Sequence, residues 1–260
     1  MSPIITSRPA DGIAEITLNR PEAMNAFDLP TAQALGRRLQ EFDAHEKLRV
    51  AIITGAGDKA FCAGADLKQM HGGSHAGGIN ELWHSEIQYR LGQKLQVSKP
   101  VIAAVNGYCL AGGLELALGC DIRIASETAS FGCPEVRWGI LHGFGAMRLP
   151  TTVPMSMAME MLLTGERIDA ARAREIGLVS RVVAPSALLP TAEQIAERIS
   201  QNGPLAIKIT KELAWRSLHQ HPEDALRFYS TVTALIHETA DSKEGPRAFA
   251  EKRTPRFEGR

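Results

Sequence analysis

The sequence predicts an α/β fold that ends in an all-helical region, and three observations predict it. Short continuous apolar runs at Val50–Thr54 and Val101–Val105 stop at glycine or at Asn106-Gly107, as strands buried on both faces do. Segments of helical period separate such runs, for example where Leu35, Leu39 and Phe42 share one face. Beyond about Ser186 only helical periodicity is left.

The elements follow in order. Ile13, Glu15, Thr17 and Asn19 alternate with Ala14, Ile16 and Leu18, and Asp11-Gly12 supplies a turn, so the first twenty residues read as two strands. Asp28 and Pro30 open a helix. His71–Gly78 carries four glycines and no period, which predicts a surface loop, and a helix is expected over Glu81–Gln96. Asp121–Ala125 and Leu178–Val183 read as further strands. Three helical stripes then run through Leu188, Ala192, Ile195 and Ile199, through Leu205, Ile209 and Leu213, and through Ala225, Tyr229, Val232 and Ile236. They suit an oligomerisation module or helices folded onto their own core, and pattern alone leaves both open. Asp241 with Glu244 resembles a capping box for a last short helix. There is no internal repeat or low-complexity tract.

Composition narrows the function. The chain has 260 residues, 44% of them hydrophobic and 22% charged, enough for one sizeable core. Lys plus Arg and Asp plus Glu are each 29, a formal net charge of zero, which argues against a dedicated nucleic-acid binder. Cys62, Cys109, Cys120 and Cys133 lie in or beside apolar or glycine-rich stretches, without a CxxC pair or zinc spacing. They read as small buried hydrophobes in a reducing compartment. The N-terminus lacks the regions of a secretory signal, so a cytoplasmic protein is expected. The apolar stretch Pro100–Cys120 is interrupted by Asn106, Glu115 and glycines, a poor membrane span.

Two segments could carry chemistry: Ala60–Leu67 and Asn106–Ala117, each a run of small residues after a buried strand. Small residues let a ligand approach the backbone, and a helix start offers unpaired N–H groups. Two such groups, one from each segment, could converge on one oxygen, although turns and tight packing need the same residues. Glu115 sits among Leu114, Leu116, Ala117 and Leu118, and Glu135 lies in another apolar stretch. Carboxylates in such settings are costly without a partner or a function. Their environments can set two pKa values apart, which suits adding water across a polarised double bond. The alternative is a buried ion pair with an arginine such as Arg123 or Arg137.

Together these segments resemble the crotonase (enoyl-CoA hydratase/isomerase) superfamily. The likeness runs from Leu18-Asn19-Arg20-Pro21 and Asn25-Ala26, through both glycine-containing segments and the glutamates, to Phe249–Arg253. The resemblance implies a spiral of ββα units over residues 1–200 and a helical trimerisation region over 201–260, assembled as a homotrimer or a dimer of trimers. It implies an oxyanion hole from the amides of Ala65 and Gly112, with Glu115 and Glu135 as the catalytic pair. Ala23, Ala63, Asp66, Leu67, Lys68 and Gly143 would line the acyl-CoA site. Phe249 and Lys252 would reach its nucleotide end, although spacing alone allows a solvated basic tail at Lys252, Arg253 and Arg256. Coenzyme A enters as part of the substrate, and no metal or redox cofactor is implied. Neither nucleic acid nor membrane is expected as a partner.

The implied reaction is hydration of a 2-enoyl-CoA. The alternatives are isomerisation, dehydration of a specialised acyl-CoA such as carnitinyl-CoA, or a non-catalytic or RNA-associated role. Two departures from the family pattern bear on the acyl group. His142 stands where family hydratases usually carry proline, with Ala146 in place of a glycine, and Trp138 adds bulk behind Glu135. His142 could titrate near neutrality or serve a structural role in the turn.

Overall fold

The computed structural model describes residues 2–66, 97–218 and 220–260. The expected loop at 71–78, the expected helix over 81–96, and Leu67 and Lys68 lie outside the described residues.

A six-stranded sheet forms the frame. Strands β1 (Ile4–Ser7) and β2 (Ile13–Leu18) pair antiparallel across a turn in which Gly12 takes φ +78°. The remaining strands of this sheet run parallel to β2: β3 (Val50–Gly55), β5 (Val101–Val105), β7 (Ile122–Ser126) and β10 (Arg181–Val183), in spatial order β1-β2-β3-β5-β7-β10. Every residue of β3 and β5 is buried. Successive side chains of a strand point to opposite faces, so each strand feeds two cores. Ile53, Ala103 and Val105 join one apolar cluster, while Ile52, Ile102 and Ala104 join the other. The expected strand at 178–183 is shorter than its apolar run, because Ser180 already turns, with its N–H and hydroxyl both donating to the Arg123 carbonyl.

A second sheet was not visible in the sequence. Strands β4 (Ala60–Cys62), β6 (Tyr108–Leu110), β8 (Ser130–Gly132) and β9 (Arg167–Asp169) lie side by side in that order. The first three are parallel and β9 is antiparallel. Each of β3, β5 and β7 is therefore followed by a three-residue strand in the smaller sheet, and β6 is followed by helix α2 (Gly112–Gly119). This strand–strand–helix repeat is the expected spiral.

Helix α1 (Leu29–Ala44) starts as predicted: the Asp28 side chain accepts the Thr31 N–H, and Leu35, Leu39 and Phe42 are buried. Further along lie α3 (Gly143–Arg148), α4 (Met155–Thr164), α5 (Ala170–Glu175), α6 (Leu188–Ser200), α7 (Pro204–Ser217), α8 (Pro222–His237) and α9 (Ala240–Ala250). The first C-terminal stripe belongs to the main core, since Leu188, Ala192 and Ala196 of α6 cover the second cluster. Buried Lys211 ties α7 to the sheet, 2.7 Å from Asp121, while the Trp215 indole donates to the same carboxylate at 2.9 Å. On α8 only Val232 is buried, and Leu226, Tyr229 and Leu235 remain exposed.

The capping box expected at Asp241 and Glu244 is not what forms. Thr239 is the N-cap of α9, its hydroxyl accepting the Ser242 N–H. Asp241 and Glu244 instead hold the chain end. Asp241 accepts the N–H groups of Glu258 and Gly259, and Glu244 accepts the Arg256 N–H and pairs with Arg247 and Arg253. The tail offers each carboxylate more donors than a reciprocal box would. Among the described residues no helix is long and apolar enough to cross a membrane, and no group of three or more His, Cys, Asp or Glu is placed to hold a metal ion.

Candidate active site

The residues singled out for chemistry leave the carboxyl ends of three neighbouring parallel strands of the small sheet. Ala65 follows β4, Gly112 follows β6 and Glu135 follows β8. Ligand sites of open α/β sheets gather at such ends, because the chains diverge there and leave a crevice.

The first segment is pinned by the loop before α1. The Phe27 N–H donates to the Gly64 carbonyl at 2.7 Å, and the Asp66 N–H donates to the Phe27 carbonyl at 2.8 Å. In a parallel bridge of this kind the residue between those two partners turns its own N–H to the other side. That residue is Ala65. On the other side lies α2. A Cβ added to Gly64, which has φ +96°, would sit 2.5 Å from the Ala111 Cβ and 3.2 Å from the Gly112 nitrogen. A Cβ added to Gly112 would sit 4.0 Å from the Ala65 nitrogen. The Ala65 and Gly112 amides thus line one narrow gap. Gly112 is the first residue of α2 and its N–H has no intrahelical acceptor. Ala111 before it holds φ +52°, a conformation that costs an alanine on the order of 1–3 kcal/mol and is typical of functional turns. Its N–H donates to the Gly132 carbonyl at 3.0 Å, locking α2 to β8. Gly113 is obligatory for this approach, since a Cβ there would meet the Cys62 carbonyl oxygen at 2.1 Å.

One helical turn further on, Glu115 projects from α2. Its Oε1 accepts the Gly145 N–H at 3.1 Å. Burial pushes its carboxyl above the ordinary range; the Gly145 amide and nearby His142 oppose the shift and Glu135 reinforces it. Glu135 lies in a 3₁₀ turn, Pro134–Trp138, and its Oε1 is in contact with Nδ1 of His142. The same Nδ1 lies 4.0 Å from Glu115 Oε1, so one imidazole stands between the two carboxylates. The Cys133 thiol is pushed up by burial and by the charges of both glutamates.

Neither arginine considered as a partner meets these carboxylates. Arg123 donates to the carbonyls of Leu178, Ala117 and Cys120, and Arg137 to that of Thr164. The partner that residue-by-residue reading missed is His142, seven positions after Glu135 and 2% exposed. Its signal in the sequence was a polar residue in an apolar stretch, followed by glycines at 143 and 145.

The other expected site residues divide into two sets. Ala23, Ala63 and Asp66 come together: the Ala63 N–H donates to the Met24 carbonyl at 3.1 Å, and Asp66 pairs with Arg20 at 3.0 Å. Asn25, which the sequence offered only as part of a motif, donates to the carbonyls of Ala56 and Ala60 and accepts the Arg20 N–H. Gly143 stands against Glu115, where a Cβ would lie 3.2 Å from Oε1. Phe249, 87% exposed, and Lys252 sit at the far end of α9, and no contact among the described residues joins them to the glutamates. Trp138 and Leu141, which flank the glutamate turn, are both exposed.

Comparison with known proteins extends these observations. The model of the family described as enoyl-CoA hydratase/isomerase matches residues 8–260. The chain is 40% identical over 260 residues to (E)-benzylidenesuccinyl-CoA hydratase of Thauera aromatica, covering 98% of this chain and 99% of that protein. It is 40% identical to a short-chain-enoyl-CoA hydratase of Clostridium acetobutylicum, covering 93% and 92%. Carnitinyl-CoA dehydratase of Citrobacter koseri is 42% identical, with 95% of each chain covered. Among solved structures, an enoyl-CoA hydratase from Bacillus anthracis superposes with a TM-score of 0.93 at 38% identity, over 99% of this chain and 100% of the other. The spiral of short strands, the paired amides and the two glutamates sit in a chain matched along nearly its whole length, and the chain belongs to the enoyl-CoA hydratase/isomerase family.

Proposed function

We propose that this protein adds water reversibly to a 2-enoyl-CoA, giving the 3-hydroxyacyl-CoA. One observation carries the reading: two mostly buried glutamates from different elements meet around His142, one helical turn from the gap lined by the Ala65 and Gly112 amides. The thioester carbonyl accepts hydrogen bonds from both amides. As the water oxygen bonds to C3, the C2–C3 π electrons shift toward that carbonyl, where each N–H contributes roughly 3–4 kcal/mol to the charged transition state. Glu115 holds and activates the water. Glu135 is the main proton-transferring residue, and the net reaction leaves the water's proton on C2.

Ala23, Ala63, Asp66 and Gly143 line the acyl-CoA path, and the family resemblance assigns Leu67 and Lys68 to the same role. Phe249 and Lys252 serve the nucleotide end in a neighbouring copy of a homotrimer or a dimer of trimers, which suits the exposure of Phe249 on α9 and of Lys252 just beyond it. The chemistry needs donors and carboxylates only, so no metal or redox cofactor is assigned and coenzyme A arrives with the substrate. A reducing, cytoplasmic setting fits the four free cysteines, the balanced charge fits the lack of a nucleic-acid partner, and no membrane partner is proposed. A specialised acyl group is the second reading. It is favoured by Trp138 and His142 beside the glutamates and by relatives that act on benzylidenesuccinyl-CoA and carnitinyl-CoA.

The test is turnover of crotonyl-CoA against longer, branched and aromatic enoyl-CoAs by the full chain and by Glu135→Gln. The variant is expected to lose about 10²–10⁴-fold in kcat, the usual contribution of a placed acid–base group. Hydration by Glu135→Gln at the parent rate would refute the assignment.

A further inference from the structure

The geometry points to His142 as the residue that positions Glu135, binding Oε1 of that carboxylate so that Oε2 is the oxygen exchanging the proton with substrate. The inference rests on the hydratase reading above and adds a residue to it.

Four observations carry it. The imidazole is buried, its Nδ1 touching Glu135 Oε1. A carboxylate only accepts, so Nδ1 carries the hydrogen of that contact. His142 Nε2 and Glu135 Oε2 are buried atoms without a hydrogen-bond partner among the described residues. A hydrogen on Nε2 would bury a donor with no acceptor, which is costly, so the hydrogen bonding of the ring runs through Nδ1. Glu135 Oε2 is left as the oxygen with capacity to spare.

The ring is also held in place. A Cβ on Gly145 would lie 1.8 Å from His142 Nε2, so the imidazole packs directly on the backbone of α3 and only glycine fits beneath it. The same Gly145 donates its N–H to Glu115 Oε1 at 3.1 Å. One four-residue run, 142–145, thereby fixes one oxygen of each glutamate. Proline, which family hydratases usually carry at this position, has no side-chain donor for Glu135. Among the described residues the ionisable groups around the imidazole are Glu115 from α2 and Glu135 from the 3₁₀ turn, and the Cys133 thiol feels the charges of both.

Three variants test this: His142→Leu removes the donor, His142→Asn places an amide N–H near the Nδ1 position, and His142→Gln places it near Nε2 instead. With the fold verified by circular dichroism and Tm, Leu and Gln are expected to lower kcat about 10²-fold with KM within about threefold, the scale of a misplaced catalytic group. Asn should recover kcat to within about tenfold of the parent. A folded His142→Leu protein with parental kcat would overturn the proposal, as would equal rates for Asn and Gln. A readout without turnover separates this claim from the hydratase reading. Nitrogen-15 NMR of labelled imidazole should show His142 protonated at Nδ1 and bare at Nε2. The opposite tautomer or an imidazolium overturns the positioning role. The expected tautomer in a protein that hydrates no enoyl-CoA upholds the His142–Glu135 pairing and defeats the hydratase reading instead.

Discussion

The two sheets are built from one strand–strand–helix unit and do different things with it. In the large sheet, β3 and β5 run six and five residues with every side chain buried, and each strand supplies two apolar clusters. In the small sheet every strand has three residues, and the chain leaves β4, β6 and β8 straight into the functional segments. Long strands remove apolar area from water, which is what stability draws on. Short ones contribute less area and govern where an amide or a carboxylate emerges. The scaffold and the site are therefore separable, to a degree that substitutions can measure.

The largest effect is expected in the large sheet. Ile102 is fully buried against α6, and Ile102→Ala should cost about 3–4 kcal/mol from lost transfer and the cavity left behind. That corresponds to a Tm lower by roughly 6–16 °C for a domain of this size, with kcat per folded molecule retained. A loss of kcat in the folded fraction would show that the sheets are not independent. Next comes Gly145→Ala at the site. Its Cβ would collide with the His142 ring, so kcat should fall about 10²-fold while Tm moves far less than in Ile102→Ala. Parental kcat in Gly145→Ala would mean that the imidazole can shift without consequence.

The smallest effect has the opposite sign. A carboxyl raised by burial binds its proton more tightly in the folded state than in the unfolded one. Folded stability therefore declines as pH climbs from the ordinary carboxyl value, near 4, through the raised one, and the full cost applies above it. Glu115→Gln keeps an acceptor for the Gly145 N–H and removes that cost. Its Tm should exceed the parent's at pH 7–8, and the difference should close toward about pH 4. A gain of the same size at both pH values would exclude burial of charge as its source.

The large sheet was legible because five or six successive apolar residues ending at glycine leave few alternatives. Helix α1 was legible from Asp28 and the spacing of Leu35, Leu39 and Phe42. The small sheet was not, because three residues such as Ala60–Cys62 carry no readable period. The glutamates stood out as charges in apolar runs, yet their partner did not. A guanidinium is the usual answer to a buried carboxylate, but both nearby arginines are occupied by carbonyls. Only the fold brings His142 between residues that stand twenty apart in the chain. The tail clamp at Asp241 and Glu244 was misread for a related reason: an acidic pair at helical spacing suits a cap, and apart from Arg247 its true donors lie at 253 to 259, beyond any local rule.

The four cysteines lend the molecule an internal reporter. Cys62 and Cys109 sit in the small sheet, Cys133 follows it and Cys120 ends α2, all of them buried. Burial pushes the thiols of Cys62 and Cys120 up to about 12, so thiolate is scarce while the core stays shut. Alkylation of these sulfurs then proceeds only as fast as the protein breathes. The order in which Cys62 and Cys109 are labelled relative to Cys120 would time the parting of the small sheet against the rest of the fold.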